Sequence, residues 1–123
     1  MSKKDREKAI NAIAIGRIVV GAAAWLAPRQ SGRLFGLDPE SNPQTPYIGR
    51  LFGARDVALG AGALRAPRKQ KYNWLVAGLA CDVADTAAGV MAGARGTLPM
   101  PAAAMVTATA AAFAMAGVAL AER

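Results

Sequence analysis

Apolar residues in this chain fall into four long runs, broken by Pro, Gly and clustered charge. None of the runs alternates apolar and polar positions with a period of two, so strands are not expected. The runs predict helices over about 5–27, 44–65, 69–94 and 101–121, the first stopping at Pro28 and the second near Pro67. Each has the roughly 20 residues that cross a bilayer. The fourth is the cleanest, because Gly96 to Ala121 carries no charge and has no polar face beyond Thr107 and Thr109. A helix of a soluble bundle would show a charged stripe there. Residues 28–43 read as an interfacial segment. The fold class expected is all-α, a single domain over 1–123 forming an antiparallel four-helix transmembrane bundle.

Composition strengthens this picture. Of the 123 residues 54% are hydrophobic but only 6% aromatic, and 13 are Gly. Small side chains build a poor water-soluble core, yet they suit closely packed membrane helices. The net charge of +7 is gathered mainly into two clusters, Lys3, Lys4, Arg6, Lys8 and Arg65, Arg68, Lys69, Lys71. A nucleic-acid surface would interleave aromatics with its basic residues; these clusters flank apolar runs instead, so no nucleic-acid partner is expected. With Arg123 they put nine basic residues on one side of the bilayer, against Arg29, Arg33 and Arg95 on the other. The positive-inside rule then places both termini in the cytoplasm. The charged start followed by an apolar run resembles a signal peptide, but Arg17 interrupts it, and an uncleaved first helix is preferred. Trp25, Tyr47, Tyr72 and Trp74 lie near helix ends, where aromatic belts form.

Charge also enters three of the helices. Arg17 lies in the first, Arg50, Arg55 and Asp56 in the second, Asp82 and Asp85 in the third. A charge at a helix centre costs about 2.5–3.5 kcal/mol on an insertion scale, so these side chains must face inward and meet. At about 1.5 Å per residue, Arg17, Arg55, Asp56, Asp82 and Asp85 share one depth, while Arg50 is near enough to an end to snorkel. Arg suits the partner role because it stays protonated and grips a carboxylate with two hydrogen bonds. Gly49, Gly53, Asp56, Gly60 and Gly78, Asp82, Asp85, Gly89 repeat one spacing, i, i+4, i+7, i+11, which keeps each set on one helix face. The glycines are expected to let helices approach closely. Arg17, Gly21 and Ala24 continue the theme on the first helix with a base.

The pentapeptide GRLFG occurs twice, at Gly32–Gly36 and Gly49–Gly53. The first copy follows Pro28 and reads as interfacial, with Phe35 dipping toward the hydrocarbon while Arg29 and Arg33 stay with phosphates. The second opens the second helix and contributes a packing face.

Little catalytic chemistry is available. The chain has no His and a single Cys, Cys81. It therefore lacks the commonest general base, an intrachain disulfide and a Cys metal cluster. No phosphate-cradling motif is present. No enzyme activity, cofactor or metal is expected. RLFGARDVALGAG, the APR and RLFGL turn after the first helix and CDVADTAAG together resemble an uncharacterised family of small four-helix membrane proteins common in actinobacteria, and more distantly DoxX-like proteins. That resemblance implies an inner-membrane location and brings no activity with it. The reading is a small integral membrane protein in contact with lipid, acting as a packing or accessory subunit of a homo-oligomer or larger complex and held by the Arg/Asp layer. One alternative is a small-ligand or proton transporter using Asp82 and Asp85. Another is a soluble helical bundle that binds a partner.

Overall fold

The computed structural model describes residues 1–121; Arg123, counted above among the basic residues, lies outside them. Five helices follow one another: α1 (Lys3–Leu26), α2 (Pro28–Leu34), α3 (Thr45–Arg65), α4 (Arg68–Ala94) and α5 (Met100–Ala121). The described residues contain no strand. Three helices, α1, α4 and α5, are long and apolar enough to cross a membrane. The 21-residue α3 has the length but carries Arg50, Arg55, Asp56 and Arg65.

The helices start and stop for local reasons. The Ser2 hydroxyl accepts from the Asp5 amide at 3.1 Å and caps α1. Pro28 opens α2 at the first-turn position where a missing N–H is harmless. The expected four helices thus become five, because the 28–43 segment holds a seven-residue helix. Gly36, at φ +83°, ends that helix, and Leu37 N–H closes back on the Gly32 carbonyl at 2.9 Å. Gly96, at φ +71°, plays the same part after α4.

Packing is close because the side chains between helices are small. α1 lies mainly on α3, and α4 mainly on α5. Ala14 faces Gly60 and Gly21 faces Gly53, so α1 and α3 run in opposite directions. A Cβ on Gly21 would stand 2.6 Å from the Gly53 carbonyl oxygen, a distance no methyl tolerates. Gly49 meets Pro28 and Ala24 at ordinary contact distance. On α4, Gly89 lies against Thr107 of α5 and Gly78 against the Arg17 guanidinium. The matched glycine faces of α3 and α4 therefore do not pack on each other. The first receives α1 backbone; the second receives an arginine head and α5.

Among the described residues no large side chain is fully buried. Ile10, Leu75 and Leu120 form a small apolar cluster with Ile13 beside them. Large apolar groups point outward instead: Val19 is 62% exposed, Val83 54% and Met115 72%.

Candidate functional site

At mid-bundle, five charged side chains from α1, α3 and α4 come together. Arg17 is buried and donates two hydrogen bonds to Asp82, at 2.8 Å to Oδ1 and 2.5 Å to Oδ2. Its guanidinium lies 5.1 Å from the centre of the Phe113 ring of α5, an orientation in which the ring face attracts the cation. Gly78, one turn before Asp82 on α4, leaves the room the guanidinium occupies. Arg17 of α1 is thereby tied to both α4 and α5.

Arg55 makes the second fork. It donates to Asp85 at 3.0 Å and 2.5 Å, and it lies 4.9 Å from the centre of the Phe52 ring. Its Nε is buried without a hydrogen-bond partner among the described residues. The two forks differ in surroundings. The Arg17 and Asp82 side chains are each 6% exposed; those of Arg55 and Asp85 are 34% and 31% exposed.

Asp56 sits between them, buried, with one contact of 3.4 Å from Arg55. The layer thus holds two guanidiniums and three carboxylates, and Asp56 is the acid without a fork of its own. The void beside Arg17 measures about 10 Å³, room for one water at most. Among the described residues no group of His, Cys, Asp or Glu is arranged to hold a metal ion.

The other singled-out residues divide. Arg29 and Arg33, expected at phosphates, both reach Glu40, at 3.9 Å and 2.6 Å, and stay exposed. Phe35 is half-buried at the end of α2. Arg50 does not simply snorkel: its Nε donates to the Trp25 carbonyl at 3.1 Å and its head stacks 5.3 Å from that indole. Trp25 is thus held at the end of α1.

One charge was misplaced by sequence reasoning. Lys71, counted with the basic loop, is buried. Its Nζ donates to Asn11 Oδ1 at 3.0 Å and to the carbonyls of Ala63 and Leu64 at 2.7 and 3.1 Å. Those carbonyls belong to the last turn of α3, where no intrahelical partner exists and a cation is favoured by the helix dipole. The available signal was a lysine shortly after a helix stop at Pro67.

No known family, curated protein or solved structure matches this chain.

Proposed function

We propose that this chain is a multi-pass protein of the bacterial inner membrane, crossing it with α1, α3, α4 and α5 as an antiparallel bundle, and that it serves as a packing or accessory subunit. The meeting of Ile10, Leu75 and Leu120 supports a common end for both termini, and the basic clusters support the cytoplasm for that end. Asp82 and Asp85 are each gripped by an arginine, which favours interhelical fixing over proton carriage for these two acids.

The observation that carries the subunit role is the exposure of the second fork. Arg55 and Asp85 lie near the middle of helices whose outer faces are apolar, yet both are about one-third uncovered. Lipid gives such a pair nothing to bond with, and intramembrane charges face protein or a water-filled cavity. A second polypeptide laid over this part of α3 and α4 would complete the burial.

Cys81 gives the test. It is the single cysteine, half-exposed, and one turn from Asp85 on α4. Membranes washed with alkaline carbonate should retain the chain. Mild oxidation of those membranes should then cross-link Cys81 of one copy to Cys81 of another, and the native mass in detergent should exceed one chain plus micelle. A chain that washes off ends the membrane reading; a retained chain of single-copy mass with no larger complex ends the subunit reading.

A further inference from the structure

Where α3 ends and α4 begins, the two helices leave an open groove of about 450 Å³, within the range of small-molecule sites, about 300–1,000 Å³. Ala58, Ala61, Gly62 and Arg65 line it from α3, at spacings that place them on one helix face. Gln70 and Trp74 line it from α4, one turn apart. Trp74 stands directly on Gly62; a Cβ there would come 2.7 Å from the indole Cε3. The groove is therefore graded along the helix axis. Its inner part is alanine and an indole wall, and its outer end, about 10 Å away at 1.5 Å per residue, is a guanidinium.

The basic residues nearby are not equivalent. Arg68 is paired with Glu7, and Lys71 is bound to Asn11 and the end of α3. Arg65 is exposed and forms no ion pair among the described residues. A cation left open at the mouth of an apolar groove, on the side of the bundle that carries the basic clusters, matches one ligand in both halves. We propose that the groove binds an anionic phospholipid of the adjoining leaflet. Its phosphate lies on Arg65 with Gln70 beside it, and an acyl chain runs over Ala58 and Ala61 against Trp74. A free phosphate would leave the alanine floor and the indole bare. A zwitterionic lipid would bring its ammonium toward Arg65 and Lys69.

This inference rests on the membrane-spanning reading, and one experiment separates the two. The chain has two tryptophans, so Trp25→Phe leaves Trp74 as the sole tryptophan, read by excitation that tyrosine does not absorb. The variant is reconstituted in phosphatidylcholine vesicles containing a minor fraction of brominated phosphatidylglycerol or brominated phosphatidylcholine. Brominated phosphatidylglycerol should quench Trp74 with a preference of about fivefold in apparent association, the factor contributed by one basic side chain at an anionic surface. Arg65→Gln should bring the two lipids to parity. Ala61→Phe, which fills the floor and leaves Arg65 in place, should reduce quenching by phosphatidylglycerol. Equal quenching by both lipids in the starting variant, or a preference that survives Arg65→Gln, overturns the site. Absence of quenching by either lipid overturns the membrane reading itself, and the site with it.

Discussion

The two arginine forks are the same chemical object in two settings. Each joins α4 to another helix, each uses both terminal guanidinium nitrogens, and each closes to 2.5 Å. One is enclosed by α1, α4 and the Phe113 ring; the other lies at the rim, a third of it open. Attraction between opposite charges grows as the surroundings lose polarity, but so does the penalty for a charge left alone. The difference teaches that geometry does not rank these pairs. The enclosed pair is a condition of the fold, because neither partner has anywhere else to go. The rim pair stays negotiable, and a negotiable charge pair on an outer face is what an assembly can use.

Breaking one partner of each pair should separate the roles most sharply. Asp82→Ala leaves Arg17 buried and alone, a situation that costs about 3–5 kcal/mol. Asp85→Ala leaves Arg55 one-third uncovered and still 3.4 Å from Asp56, so its charge keeps a partner and the loss should be smaller. Unfolding of both variants by denaturing detergent, monitored by circular dichroism, should show the larger loss at Asp82, while the native mass should fall at Asp85. The paired replacement of Arg17 and Asp82 by leucine should recover much of the lost stability, since an apolar pair of similar volume removes the stranded charge. Equal losses at the two aspartates would abolish the distinction between enclosed and rim pairs.

Steric support differs between the forks as well. Gly78 makes space for Arg17, with a Cβ there falling 2.7 Å from the guanidinium nitrogen, whereas Arg55 is not among the nearest neighbours of any glycine. Gly78→Ala should lower stability by about 1–3 kcal/mol, the usual effect of overpacking a tight site. Combined with the leucine pair it should cost less, because the forked head would be gone. A double-mutant cycle in the same unfolding assay measures that coupling. Additive effects would mean that Gly78 serves helix packing and not the arginine.

Much of this arrangement was legible in the sequence, and the reasons are physical. Runs of apolar residues bounded by Pro28 and Pro67 mark the long helices, because proline ends a helix by geometry. The common depth of Arg17, Arg55, Asp56, Asp82 and Asp85 follows from a fixed rise per residue. The pairing does not follow: Arg17 could have met Asp56 or Asp85 as well as Asp82, and only the placement of α1 on α3 decides. The glycine spacing revealed faces, not which helix each would meet. α2 escaped notice because seven residues with two arginines carry too little pattern. Lys71 was misread because its partners, Asn11, Ala63 and Leu64, are brought to it by tertiary structure.

Asp56 sharpens the comparison from the acidic side. It is as buried as Asp82, but its one contact, at 3.4 Å, is to a guanidinium already committed to Asp85. Removing its charge should therefore strand no cation. Asp56→Asn should cost clearly less than Asp82→Ala in the same unfolding assay. A loss as large as that of Asp82→Ala would show that Arg17 leans on both acids and that the enclosed unit is a triad.

The smallest effect belongs to a carboxylate outside both forks. Asp38, in the turn between α2 and α3, accepts from the Ser41 hydroxyl at 2.5 Å and from the Glu40 amide at 3.1 Å. The Ser41 hydroxyl, more than any other neighbour, holds its carboxyl below the ordinary value of 3.8. A folded-state value below the unfolded one means that the turn is supported above pH 3.8 and loses that support as pH falls through the lower, folded value. Acidification through this window should speed amide exchange at Glu40 relative to the chemical rate, and Asp38→Asn should remove the acid-dependent step. If cross-linking at Cys81 also changed over that window, the outer turn and the rim pair would be coupled, and the rim fork could no longer be treated as an independent element of the assembly.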